Sequence, residues 1–223
     1  MKKITVFGFF LCSILISSLL IFEQQAQAQD ATSLKNRHTD LQEQLTKNSF
    51  KRPIYIESNQ TADTLQGDIY AVIAQPFAIT SAALQDKNNW CDILILHINV
   101  KYCMASTKPS GDFLNINIGR KFDQPLADAY PFEFIYKVKT VTPDYLQVAL
   151  DSEKGPFGTS KYHLVIAVVN IDAQHSFLHL SYAYDYGLMA NTAMQGYLTT
   201  IGRNKSGFSV VSEKNQKLVY IGG

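Results

Sequence analysis

Basic runs, nucleophile motifs and phosphate loops are all missing from this 223-residue chain. Lys and Arg total 20 against 19 Asp and Glu, a formal net charge of +1. The charges are scattered, so the concentrated positive footprint that releases counterions from nucleic acid is absent, and no nucleic-acid partner is expected. There is no Gly-x-Ser-x-Gly elbow, no Cys–His pair in a nucleophile's context and no paired-carboxylate signature. Gly155-Pro156-Phe157-Gly158 lacks both the spacing and the following helix of a dinucleotide or phosphate loop. Internal repeats are absent, and no low-complexity stretch follows residue 28. What is present is a folding composition, 46% hydrophobic and 12% aromatic, that of a globule and not of a disordered chain.

The first 28 residues read as an export signal. Lys2 and Lys3 precede the apolar run Ile4–Phe22, and Glu23–Ala28 ends in the small-x-small triplet Ala26-Gln27-Ala28. That order is the basic start, hydrophobic core and cleavage site of a secretory signal peptide, with the cut expected after Ala28. Left uncut, the run is long enough to serve as an inner-membrane anchor facing the periplasm, which would bring membrane association. Cys12 follows Phe9, Phe10 and Leu11 and lacks the small residues of a lipoprotein site. Secreted or periplasmic location is the expectation.

Cys91 and Cys103 remain after processing. An even count in an exported protein favours a disulfide, and two buried thiols are the alternative. One straight strand over Ile93–Tyr102 would hold its ends roughly 30 Å apart, far beyond disulfide reach. A bridge therefore requires the chain to turn back, near Leu96–Asn99.

Along the rest of the chain, residues 29–52 are polar, with Leu34, Leu41 and Leu45 as a thin apolar stripe, and are expected to form an N-terminal arm. The domain proper is expected over residues 53–223. Ile54–Glu57 and Leu65–Ala74 read as strands about a polar reversal. Gln75-Pro76-Phe77 opens a helix carrying Ile79, Ala82, Ala83 and Leu84, and Asp86–Asn89 ends it in turn residues. The apolar run Ile93–Val100 follows. Alternation then marks an antiparallel meander: Leu114, Ile116 and Ile118 against Asn115 and Asn117; Phe132, Phe134, Tyr136 and Val138 against Glu133, Lys137 and Lys139; then Tyr145–Leu150, Tyr162–Ile171 and Phe177–Tyr184. Helical spacing of Ala190, Ala193, Met194, Tyr197, Leu198 and Ile201 ends at Gly202. A last hairpin, Phe208–Val211 with Lys217–Ile221, is expected around Glu213–Gln216.

Asp68–Trp90, a strand leading through Ala74-Gln75-Pro76 into a helix with Ile79 and Leu84, then Asp86 and Trp90, resembles the opening of the START-like, or helix-grip, superfamily. The meander and the helix Leu188–Ile201 follow in the same order, so the resemblance covers Leu65–Ile201. It implies an α+β fold in which a curved antiparallel sheet grips a C-terminal helix, with an apolar ligand cavity between them. The grip helix of that superfamily is usually long and last. Here Gly196 interrupts a short one and a hairpin follows, so either a tail is added or the chain stops at Gly223 ahead of a final helix.

On that resemblance the expected role is an exported binding protein for a lipid or other apolar small molecule, without cofactor or metal. Tyr182, Tyr184, Tyr186, Met189, Met194, Tyr197, Phe134 and Trp90 are the expected cavity lining, since tyrosines give an apolar wall with a polar handle and methionines adapt to irregular ligands. Ordinary strand packing is the competing account of the tyrosines. One alternative is a cyclase- or hydrolase-like enzyme in the same cavity, with His97, Glu133 or Asp185 as general acid or base. Lack of a short motif does not bar it, because START-like cyclases have none. Another is an envelope protein with a filled core that acts through protein contacts. Arg120 and Glu133 are a candidate polar pair inside the cavity. A turn over Asp172–His175 would set His179 opposite Val168, with His163 about five residues, or roughly 16 Å, along the strand, so no shared metal site is expected.

Overall fold

Strands whose residues alternate between apolar and polar bury one face, but in the middle of this sheet both faces are buried. Tyr145 to Leu150 are all buried except Gln147, and Ile166 to Val169 are all buried. A strand buried on both sides needs cover on both sides. The computed structural model describes residues 30–61, 63–200, 210–214 and 217–220. The expected signal or anchor, Met1–Ala28, lies outside the described residues.

Eight antiparallel strands form the sheet: β1 (Ile54–Gln60), β2 (Thr64–Ile73), β3 (Val100–Lys108), β4 (Gly111–Ile118), β5 (Tyr130–Val141), β6 (Tyr145–Lys154), β7 (Ser160–Asn170) and β8 (Ser176–Asp185). Their order is β1-β2-β8-β7-β6-β5-β4-β3, so the chain leaves β2, builds an unbroken meander from the far edge, and returns to close against β2. β1 and β3 are the unpaired edges, and the curved sheet stays open. Helices occupy residues 30–40 (α1), Gln42–Thr46 (α2), Phe77–Gln85 (α3), Lys87–Leu94 (α4) and Leu188–Thr199 (α5). The fold is α+β, with the strand, helix pair, meander and helix in the helix-grip order.

On one face, here the gripped face, α3 and α4 lay Phe77, Leu84 and Trp90 against Leu114, Ile116, Phe132, Phe134, Leu146, Val148, Leu150, Ile166 and Val168. α3 turns Phe77, Thr80, Ser81 and Leu84 inward and leaves Ile79 57% exposed. Thr80 Oγ1 meets the fully buried Ser176 Oγ at 3.1 Å, and Ser176 donates to the Gln75 carbonyl at 3.2 Å, which pins the helix to the start of β8. Asp86 ends α3, and it also starts α4: its carboxylate accepts from the Asn88 backbone N–H at 2.9 Å as an N-cap. The expected apolar run Ile93–Val100 is thus the end of α4, a turn over residues 95–99 and the first residue of β3. That reversal brings Cys91 and Cys103 to a Cα separation of 5.2 Å, and they are disulfide-bonded.

The expected polar arm is instead the cover of the opposite face. Ala31, Leu34, Leu41 and Leu45 are buried against Tyr70, Tyr145, Ala167, Val169 and Phe177. The stripe is thin only when apolar residues are counted, because His38 fills its gap and sets its ring 4.8 Å from that of Phe177. Hydrogen bonds Leu41 N–H to Arg37 O and Leu45 N–H to Leu41 O carry the helical ladder across the α1–α2 junction.

Smaller differences have local causes. His179 pairs with Ala167, one residue from the expected Val168. β5 bulges between Val138 and Thr140, which leaves Val138 40% exposed at the end of its alternation. In the last hairpin β9 (Val210–Lys214) pairs with β10 (Lys217–Tyr220), so Glu213 belongs to a strand and not to the turn. Phe208 and Ile221 lie outside the described residues.

Candidate ligand-binding face

The gripped face is filled at one end and open at the other. At the filled end Trp90 is buried, meets the Tyr136 ring edge-on at 6.1 Å, and donates its indole N–H to the Leu84 carbonyl at 2.8 Å. Tyr136 donates its hydroxyl to the Leu84 and Gln85 carbonyls, at 2.9 and 2.8 Å, and burial pushes its phenol up to about 12. Both residues close the C-terminal end of α3. Trp90, expected as cavity lining, is a spent structural residue whose only polar atom already has a partner.

Across the sheet the cover thins. The cross-strand row Ile166–Leu180–Ile69–Ile56 runs from 9% exposed at Ile166, through half-buried Leu180 and Ile69, to 42% exposed at Ile56. Leu164, Leu178, Tyr182 and Tyr184 are likewise only partly buried beside the core. The helices α3 and α4 cover the β3 to β7 part of this face, and among the described residues the β8, β2 and β1 part is a partly open apolar floor.

One margin of that floor is aromatic. Tyr162 stacks on Tyr184 (5.0 Å, 8°) and meets Phe132 edge-on at 4.8 Å, and Phe134 and Tyr182 at 6.3 and 6.0 Å. Tyr182 and Tyr184 lie 5.4 Å apart, and Tyr186 continues the series 6.2 Å beyond. Burial raises the phenols of Tyr162, Tyr182 and Tyr184, so all three keep their protons at any ordinary pH. Tyr162 is tied by a 2.7 Å contact to Thr159 Oγ1, and the loop that carries Thr159 packs so close that a Cβ on Gly155 would lie 2.2 Å from the Tyr162 ring.

Of the expected lining, the structure therefore brings together Phe134, Tyr182, Tyr184 and Tyr186. Tyr186 is buried and committed, donating to the Thr61 carbonyl at 2.8 Å and accepting from Gln60 at 2.9 Å, so it seals the β1–β2 end. Tyr197 is half-buried on α5, which rests against the short 3-10 turn Pro156–Gly158. The side chains of Met189 and Met194 lie outside the described residues, as do those of Ala190 and Ile201 in the expected packing stripe. Sequence reasoning missed Phe132 and Tyr162, although Phe132 alternates with Phe134 and Tyr162 opens a strand run that was read as one.

The residues expected for general acid–base work are scattered. His97 sits in the α4–β3 turn, where its Nδ1 accepts from the Asn99 N–H at 3.3 Å. Glu133 pairs with Lys108 on an exposed surface, not with Arg120, whose guanidinium lies 5.7 Å from the Phe122 ring. Asp185, at the end of β8, is held below the usual carboxylate range by Lys161 and then by Thr64 on the neighbouring strands β7 and β2. His163, His175 and His179 each face a different carboxylate, Asp151, Asp172 and Asp68.

No protein-family model and no curated protein matches the chain. Among solved structures it is similar to the human StarD13 (DLC2) lipid transfer and protein localization domain (8% identity, 66% of this chain and 78% of that one, TM-score 0.44). It is also similar to norcoclaurine synthase of Thalictrum flavum (15% identity, 64% and 89%, TM-score 0.40) and to the Zhui aromatase/cyclase of Streptomyces sp. R1128 (10% identity, 57% and 72%, TM-score 0.40). With β2, the α3–α4 pair, the returning meander β3 to β8 and α5 in this order, the molecule has a START-like helix-grip fold, extended by an extra edge strand and a helical cover on its other face.

Proposed function

We propose that the protein is exported and binds a lipid or other apolar small molecule on the open half of its gripped face. The observation that carries this reading is the row from Ile166 to Ile56, along which an apolar floor loses its cover strand by strand. Apolar surface of that kind, running out to the edge strand β1, gains free energy when a ligand removes it from water, about 25 cal/mol per Å². The aromatic margin supplies rigid walls, and the Tyr184 hydroxyl, which has no hydrogen bond among the described residues, is a polar handle. Export is supported by the pattern of Met1–Ala28, and the Cys91–Cys103 bridge suits an oxidising compartment.

The test is to purify the protein, extract it with organic solvent for mass spectrometry, and titrate it with a fluorescent fatty acid. An extractable apolar compound or saturable probe binding is expected, with probe affinity reduced about tenfold or more in Leu180→Trp, which fills the floor. A chain that yields no apolar compound and binds no probe does not have this function.

A further inference from the structure

The opposite face of the sheet holds a cavity of about 310 Å³ under α1. Its floor is the cross-strand row Gln147–Ala167–His179–Tyr70, drawn from β6, β7, β8 and β2, with Val165 beside it. Ala167 is the cause of the space: a methyl group stands between three long side chains, so the floor dips at its centre. Tyr70 and Tyr145 are the side walls, and Asp30, Ser33, Leu34 and Arg37, one face of α1 at helical spacing, are the roof.

The polar groups around this space fall into two sets. The first is already matched. Arg37 pairs with Glu57 at 2.8 Å and lies 4.9 Å over the Tyr70 ring. His179 Nε2 meets Asp68 at 2.8 Å, with its ring stacked on Tyr70 at 4.4 Å and 3°. The second set is unmatched. The half-buried Gln147 amide, at one end of the floor, and the exposed Ser33 hydroxyl make no hydrogen bond among the described residues. Their polar atoms are open to water, so a ligand entering the space exchanges those water contacts for direct hydrogen bonds.

We infer that this cavity is a second ligand site, for a small uncharged planar molecule, a one- or two-ring aromatic or heteroaromatic with hydrogen-bonding groups on its edge. The volume stands at the lower end of ligand pockets and is too small for a long acyl chain. The slab between a sheet floor and a helix roof, walled by tyrosine rings, suits a flat body. Gln147 offers both a donor and an acceptor, so it reads an amide- or phenol-like edge. A charged ligand is disfavoured, because the nearby charges are already neutralised in pairs and Asp30 at the exposed end repels anions.

The inference is independent of the reading of the gripped face, and one experiment separates the two. The protein purified from cells expressing the full chain is labelled with 15N and titrated with 4-hydroxybenzamide and with indole. Saturable shifts are expected at the Gln147 side-chain amide and at the Ala167 and His179 backbone amides with at least one probe. Ala167→Leu, which fills the dip, and Ser33→Phe, which plugs the space from an exposed helix position without touching the sheet, should each weaken that binding about tenfold or more. Neither should alter fatty-acid binding on the gripped face. Absence of saturable shifts with both probes, shifts confined to Leu180 and Tyr182, or undiminished binding in Ser33→Phe would each overturn the inference.

Discussion

On the gripped face the row Ile166–Leu180–Ile69–Ile56, from β7 to β1, presents only aliphatic side chains, whereas one residue along the three shared strands the row Gln147–Ala167–His179–Tyr70, from β6 to β2, presents an amide, a methyl, an imidazole and a phenol. The two surfaces share a backbone and differ in everything else. One is roofed by α3 and α4, which the chain inserts between two strands and fixes with a disulfide; the other is roofed by α1 and α2, which precede the first strand. The inserted roof rests on large side chains in a filled core. The terminal roof rests on four apolar residues, one histidine and the ion pairs Lys35–Asp144 and Arg37–Glu57. A helix pair inserted between two strands is held by the sheet on either side of it, whereas α1 and α2 meet the sheet through their own stripe and these ion pairs.

The sharpest way to break this asymmetry is Phe177→Ala. Phe177 is fully buried, touches the Tyr70 and His38 rings, and lies where the stripe of α1 meets the sheet. Loss of about 3–5 kcal/mol in global stability is expected, read by denaturant melts. Hydrogen exchange should speed up first in residues 30–46, ahead of α3 and α4. Removing the disulfide with Cys91→Ala and Cys103→Ala acts on the other roof. Closing a loop with 12 residues of sequence separation stabilises by about 3 kcal/mol in the chain-entropy account. The melting temperature should fall, and exchange should rise in α4 and β3 while α1 keeps its protection.

Tyr136→Phe is smaller again. It removes the hydroxyl that satisfies the Leu84 and Gln85 carbonyls at the end of α3, and keeps the ring against Trp90. A loss of about 1 kcal/mol is expected. A change near zero would mean that water takes over both carbonyls and that the filled end is less closed than its burial indicates.

Acid should separate the two roofs without any mutation. Burial against Phe177 holds His38 below its ordinary 6.5, so the unfolded chain takes up a proton more readily than the folded one. The associated stability is complete above pH 6.5 and is lost as the pH falls through the lowered value of the folded state. Exchange in α1 should therefore accelerate below pH 6.5, with α3 and α4 unaffected, and His38→Gln should flatten that dependence. Equal acid sensitivity of both roofs would refute the contribution of His38.

Much of this was legible in the sequence, and the exceptions share a cause. Alternation and turn-bounded apolar runs located β4 to β8, and Gln75-Pro76-Phe77 located α3, because period-two patterning and a first-turn proline are local signals, whereas β3 was not read as a strand. The second face was not read, since the stripe Ala31, Leu34, Leu41, Leu45 passes as thin unless His38 is counted as a packing residue. A clue was available in the near-continuous apolar run Leu164–Val169, which is the pattern of a strand buried on both sides. The reversal over residues 95–99 falls where a Cys91–Cys103 bridge requires it, near Leu96–Asn99, but α4 was hidden, because an apolar run does not distinguish a helix end from a strand. The aromatic margin was half found: Tyr182 and Tyr184 announce themselves two residues apart, while Tyr162 and Phe132 join them only through the pairing of strands far apart in sequence.

The gentlest probe of the comparison is Lys35→Ala. Lys35 reaches from α1 to Asp144 in the β5–β6 turn, and both side chains are more than 40% exposed. The hydrogen bond from Lys35, followed by its charge and by Thr142, holds the Asp144 carboxyl below the usual carboxylate range. Its share of stability is present above the unfolded value of about 3.9 and is lost as the pH falls through the folded one. Water and salt screen a pair this exposed, so the expected loss at neutral pH is only about 0.2–1 kcal/mol, shrinking further in high salt. A loss confined to the exchange of residues 30–46 would place α1 in its own opening equilibrium, in which the terminal roof can lift while the inserted one stays closed. A uniform loss across the molecule would instead mean that both roofs melt with the sheet as one cooperative unit.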